Sequence, residues 1–147
     1  MRQHRTGAAD EGPIVCRTTV FVTVADDPPV PLPARLSYNA TDPYAVCLSL
    51  GVPSSPPVDW VFARSLLARG LSRPAGSGDV VVIPRHRCHP DMVRILLRTR
   101  HGAAVLEVAS RAVTAFLHRA EALVPPGTEH RYIDLDRVVE QLTAGSE

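Results

Sequence analysis

Residues 59–84, DWVFARSLLARGLSRPAGSGDVVVIP, decide how this chain folds. They pass from alternating large apolar residues through a short helical segment into a Gly-Ser loop, and then into four consecutive apolar residues. Glycines near an arginine-bearing helix pose a choice between a phosphate cradle and a plain connection. A phosphate cradle sets its glycines before a helix N-terminus, where free N–H groups and the helix dipole face the anion. Here the glycines of PAGSGD follow a helix and precede a strand, and the chain has no lysine to reach a phosphate. The stretch is therefore strand, short helix, structural loop, strand. Val58, Trp60 and Phe62 share one face of its first strand. ARSLLARGL is too short to hold as a helix without packing. Gly70 takes the left-handed position that closes the helix and lets Leu71 return onto Leu66, the Schellman arrangement. VVVI, Val80 to Ile83, reads as a strand buried on both faces.

Upstream, residues 1–12 are polar and small and form a flexible tail, leaving 13–147 as one domain, the number that 147 residues predict. In CRTTVFVTV the period is two: Val20, Val22 and Val24 face one way, Arg17, Thr19, Phe21 and Thr23 the other. The prolines of DDPPVPLP end that strand because they cannot donate to a ladder. ARLSYN and YAVCLSL alternate again, the second setting Tyr44, Val46, Leu48 and Leu50 against Ala45, Cys47 and Ser49. Downstream, MVRILLR and AAVLEVA flank TRHG, a hairpin whose turn gives Gly102 a positive φ. The period then becomes helical. Val113, Phe116, Leu117, Ala120 and Val124 line one face of ASRAVTAFLHRAEALV, with Ser110 as N-cap. VPPG stops that helix, with Pro126 and Gly127 in the two central positions of a type II turn. DLDRVVEQL carries Leu135, Val138, Val139 and Leu142 on one face, capped by Asp134 and stapled by Ile133 against Val138. The sum is an α+β fold: a mainly antiparallel seven-stranded sheet, one short internal helix and two C-terminal helices.

Composition sets limits on function. Net charge is +1, so no overall field attracts nucleic acid or anionic lipid. All sixteen basic residues are arginine, a bias of a GC-rich genome and not a binding design. Cys16, Cys47 and Cys88 are odd in number and far apart, which predicts no disulfide framework. With no signal peptide and no apolar run long enough to span a bilayer, the chain is expected to be cytoplasmic. His86, Cys88 and His89 in PRHRCHPD are competent ligands but lack a fourth partner in closed geometry, so no metal is expected. No GxSxG elbow, no cysteine–base pairing and no paired acids stand out. The chain reads as no enzyme, with no cofactor and no catalytic residues.

The uneven charge lies between residues 85 and 101: Arg85, Arg87, Arg94, Arg98 and Arg100, with His86, His89 and His101, against Asp91 alone. In strand register Arg94, Leu96, Arg98 and Arg100 share a face. Single-strand binders track phosphates on such a face, but they add aromatic rings for stacking, which this segment lacks. A single-stranded nucleic-acid binder is thus the alternative reading. The candidates for a partner surface are Phe21, Arg94, Leu96, Arg98 and Gly127, Phe21 because it sits on an otherwise polar strand face.

Three stretches, LPARLSYNATDPYAV (32–46), VDWVFARSLLARGLSRPAGSGDV (58–80) and FLHRAEALVPPGTEHRYIDLD (116–136), together resemble the SsgA-like sporulation and cell-division proteins of filamentous actinobacteria, in particular the SsgB type. The resemblance covers roughly residues 28–142. It implies a fold similar to the whirly type, a homotrimer, and a non-enzymatic protein at division septa. The implied partners are the tubulin-like division protein FtsZ, recruited or stabilised at septum sites during sporulation, and another SsgA-like paralogue, with no nucleic acid.

Overall fold

The chain forms seven strands in order: β1 Ile14–Val24, β2 Val30–Tyr38, β3 Ala45–Leu50, β4 Val58–Ala63, β5 Val80–Ile83, β6 Met92–Thr99 and β7 Gly102–Ala109. Helix α1 spans Arg64–Arg69 between β4 and β5, α2 spans Ser110–Leu123, a 3-10 turn covers Glu129–Tyr132, and α3 spans Leu135–Gly145. This computed structural model describes residues 12–84, 90–133 and 135–145, and only the backbone of 135–138 and 145. The strands form one sheet in the order β4-β3-β2-β1-β7-β6-β5, with every pairing antiparallel. The architecture is the α+β arrangement expected from the sequence.

The sheet buries one face. Val20, Leu36, Val46, Leu48, Phe62, Val82, Ile95, Leu106 and Val108 point inward and meet Val113, Phe116, Leu117 and Ala120 of α2. Helix α2 lies over β1 and β7, and the short α1 touches both edge strands, β4 and β5. Alternation sets the faces; the outer edge of β5 is in part taken by Ala75, whose N–H and carbonyl pair with Val82 at 2.9 Å each, so those backbone groups are not offered to another chain.

Several local expectations change on contact with the fold. Strand β1 ends at Val24, ahead of the prolines as expected, but β2 already begins at Val30, so Pro31 and Pro33 lie within the next strand. They are tolerated because the β3 ladder stops at Leu50, opposite Ala34, so no strand on that side asks for a proline N–H; the Pro33 carbonyl, which needs none, accepts from Gly51 N–H at 2.9 Å. Strand β5 is an edge strand with Val80 and Val82 buried and Val81 and Ile83 half-buried, not a strand buried on both faces. Ser110 is the first helical residue of α2, with Ala109 in the cap position and no side-chain cap. Its N–H donates to the Asp91 carbonyl, and its buried Oγ has no hydrogen-bond partner. In α3, Val139 and Leu142 are 59% and 70% exposed, so the apolar spacing marks a helix without marking what it packs on. The proposed Asp134 cap and the staple on Val138 lie outside the described residues.

Gly70 is the most instructive correction. Its φ of −66° is right-handed, so no Schellman reversal occurs; the chain continues, with Leu71 N–H donating to the Ala68 carbonyl. Glycine is required there for space. A Cβ on Gly70 would fall 2.1 Å from Cγ1 of Val82, which is itself fully buried. In a right-handed position alanine gains at most about 1 kcal/mol of helical propensity, less than the cost of such a collision. We expect Gly70→Ala to destabilise by about 1–3 kcal/mol, measured by urea denaturation, and to cost less in a Val82→Ala background. Equal costs in both backgrounds would refute the close contact.

Candidate partner-binding surface

The outer face of the sheet can be read off its register. Pro31 faces Phe21, Phe21 faces Glu107, Glu107 faces Arg94, and Arg94 faces Ile83, giving one row across five strands. The next row is Thr23, Val105, Leu96 and Val81, and beyond it Arg98 stands opposite Ala103. Phe21 is 41% exposed although it is aromatic. Arg94 is half-buried, and its Nε lies 3.4 Å from the Glu107 carboxylate. A partly exposed pair of this kind contributes only about 0.2–1 kcal/mol; its larger effect is to cancel charge in the middle of the face. Four sequence candidates, Phe21, Arg94, Leu96 and Arg98, thus lie on one surface of mixed apolar and charged character. Arg100 does not join them, because β6 ends at Thr99 and Arg100 occupies the turn. Arg85, Arg87, His86, Cys88 and His89 lie outside the described residues. Among the described residues no group of three ligating side chains could hold a metal, and Cys16 and Cys47 are free and half-buried.

Gly127 belongs to a different constellation, at the exit of α2. Its φ of +90° and the Thr128 N–H to Pro125 carbonyl bond of 3.1 Å match the expected type II turn. Gly127 N–H donates to Glu129 Oε1 at 2.8 Å, and Glu129 Oε2 accepts from Arg64 at 2.9 Å. Arg64, the first residue of α1, is 3% exposed. Its Nη1 also donates to the carbonyls of Ala120 and Val124 at 3.1 and 2.8 Å, and its guanidinium sits 4.9 Å from the Tyr38 ring centre. The C-terminal end of a helix attracts cations; the Ala120 carbonyl accepts the Val124 N–H at 2.9 Å as well as Arg64, whereas Val124 lies at the helix end, where carbonyls lack intrahelical partners. Tyr38 in turn donates its hydroxyl to the Pro43 carbonyl at 2.9 Å. Arg64 therefore ties α1, α2, the 3-10 turn and β2 together. Sequence reasoning missed it, since an arginine in FARSLL reads locally as a solvated helix residue.

The electrostatics follow from these contacts. The Glu129 carboxyl is held below the usual glutamate value, first by the hydrogen bond from its own backbone N–H and then by the Arg64 guanidinium. Burial is the main cause that raises the Tyr38 hydroxyl above its ordinary value, with Arg64 opposing.

An antiparallel seven-stranded sheet with α1 against both edge strands and a buried arginine at the exit of α2 describes a class: a single-sheet α+β domain. The comparisons with known proteins make the assignment particular. The family model described as Streptomyces sporulation and cell division protein, SsgA, matches residues 32–129, and the chain belongs to this family. It is 43% identical to the sporulation-specific cell division protein SsgB of Streptomyces coelicolor over 90% of this chain and 97% of that one. The SsgB of Thermobifida fusca is 40% identical over 87% and 93%. A solved structure from work on SsgB mutations that correlate with longitudinal cell division during sporulation of Streptomyces coelicolor aligns with TM-score 0.77 at 43% identity, covering 83% of this chain and 96% of that one. The crystal structure of an SsgA-like sporulation-specific cell division protein from Thermobifida fusca aligns with TM-score 0.79 at 39% identity, covering 90% and 96%. Among the described residues no helix is long and apolar enough to cross a membrane.

Two predictions test the buried arginine. Arg64→Met removes a charged donor from two buried carbonyls and should cost about 3 kcal/mol, read from the denaturation midpoint; an unchanged midpoint would deny the arginine its structural role. The second concerns pH. A carboxyl whose folded pKa is depressed contributes stability that is present above its unfolded pKa and is lost as pH falls toward the folded one. Stability should therefore drop as pH falls from about 5 toward 3, and Glu129→Gln should flatten that part of the profile. Identical slopes for wild type and variant would show that Glu129 titrates as an ordinary surface carboxyl.

Proposed function

We propose that this protein acts in sporulation septation by recruiting or stabilising FtsZ at septum sites through protein–protein contacts, without catalysis. The observation that carries this reading is the match along 90% of the chain to a protein named for sporulation-specific cell division. The outer sheet face is compatible with it. Exposed Phe21 beside a neutralised Arg94–Glu107 pair suits contact with another protein surface, since exposed apolar patches mark contact sites. The same features speak against the single-stranded nucleic-acid alternative: Arg94 is already paired, Arg100 is off the face, and β6, the strand that carries Arg94, Leu96 and Arg98, has no aromatic residue, so bases would have Phe21 of β1 but no series of rings to stack on. The protein works as a homotrimer that covers part of this face, together with another SsgA-like paralogue, at division septa.

The test uses one preparation. The full-length protein should co-sediment with FtsZ polymers and should bind a labelled oligonucleotide little at physiological salt. Phe21→Ser should reduce filament binding only where analytical ultracentrifugation shows that the oligomer has also come apart. Salt-sensitive oligonucleotide binding that disappears when Arg94, Arg98 and Arg100 become alanine, with no co-sedimentation, would overturn the proposal.

A further inference from the structure

The half of the outer face away from Phe21 carries a second row, in which Arg17 of β1 faces Arg35 of β2, Arg35 faces Ser49 of β3, and Ser49 faces Asp59 of β4. Directly opposed side chains on neighbouring strands stand about 5 Å apart at Cβ, and like charges placed so repel. Both arginines are exposed. Among the described residues neither makes an ion pair. Asp59 is the nearest acid in the row, but it lies two strands from Arg35, roughly 10 Å by strand spacing, and it accepts the Ser49 hydroxyl. The fold thus holds two uncompensated guanidinium groups side by side. They line a concavity of about 230 Å³ whose other walls include Pro33, Gly51 and Pro57.

We propose that this concavity is a binding site for an acidic, extended protein segment carrying carboxylates two residues apart. In an extended peptide, side chains at i and i+2 project to the same side about 6.6 Å apart, a separation that two flexible arginine stems reach from neighbouring strands. Each guanidinium can then take one carboxylate in a two-pronged hydrogen-bonded pair. The proline walls give the peptide backbone and side-chain methylenes an apolar bed. A nucleic-acid strand fits less well: none of the residues lining the concavity is aromatic, so bases have nothing to stack on. The site lies on the same face as Phe21, set apart from its row by Thr19 and Pro33, and does not depend on FtsZ being the filament partner.

The experiment measures fluorescence anisotropy of a labelled peptide of alternating Glu and Ser with the full-length protein, beside its Gln-Ser counterpart and a labelled oligothymidine. The Glu-Ser peptide should bind and the Gln-Ser peptide should not, with affinity falling as salt rises. Arg17→Ala with Arg35→Ala should weaken binding about tenfold or more, while Arg98→Ala leaves it unchanged. Both arginines are exposed, so the double variant should melt no lower than wild type; Arg35→Gln alone gives a milder check and should weaken binding in the same direction. Absence of Glu-Ser binding, equal binding by the double variant, or tighter binding of oligothymidine through the same arginines would each overturn the proposal. A protein that fails to sediment with FtsZ yet binds the peptide through Arg17 and Arg35 would sink the functional reading and leave this one standing.

Discussion

The fold depends on one buried cation. Arg64 carries its charge into the interior and satisfies it with two helix-end carbonyls, a carboxylate and an aromatic face. Taking an ion out of water costs several kcal/mol even after relaxation, so an arrangement like this persists only when every donor has a partner of good geometry. That demand fixes where α2 must end, because the Ala120 and Val124 carbonyls have to point at the guanidinium. It also fixes the turn after α2, because Gly127 must turn the chain so that Glu129 arrives at the same place. A guanidinium suits the position where an ammonium would not: its planar fork reaches several acceptors at once.

The outer face shows a different use of charge. Arg94 is answered by Glu107 across one strand gap, whereas Arg17 is met by another arginine across a gap of the same kind. Both halves of the sheet share the same pleat and the same register rules, so the contrast comes from residue choice alone. The two halves therefore offer different surfaces: one is apolar and nearly neutral around Phe21, the other carries positive charge beside proline. Any assembly of this protein has two chemically distinct sides of one sheet to work with.

Much of this was legible in the sequence, and for physical reasons. Period-two alternation found β1 to β4 because one face of the sheet is buried and the other is wet, which is the condition that writes such a pattern; β5 was found as an apolar run, and β6 and β7 as a hairpin around TRHG. Gly102 and Gly127 were readable because a positive φ needs glycine and the neighbouring residues announce a turn. The misreadings arose where a residue answers to something distant. Gly70 looked like a helix cap, but it is glycine because Val82 of β5 lies against it. Pro31 and Pro33 looked like residues outside any strand, but the length of β3 decides whether they can stay in the sheet. Arg64 reaches partners 56 to 65 residues away, which no local window contains. For the partner surface, spacing aligned Arg94, Leu96 and Arg98 correctly but could not supply Glu107 as a neighbour, nor set the Arg17–Arg35 pair side by side.

The strand order has a consequence for how the chain reaches this state. In β4-β3-β2-β1-β7-β6-β5, each ladder joins strands adjacent in the sequence except one, β1 with β7, which pairs Phe21–Val24 with Ala104–Glu107. The chain is thus two meanders, β1 to β4 and β5 to β7, each able to zip through short loops. The seam between them closes a loop of roughly eighty residues, and the entropy of that closure must be met before the seam's own contacts form. Non-local pairing of this kind slows folding more than it weakens the native state. Arg64, at the end of the first meander, and the α2 exit, beyond the second, meet across the same division. The buried cation and the β1–β7 ladder are therefore two clasps on one seam, and a chain with both meanders formed but the seam open would expose α2's apolar face and two raw strand edges at once.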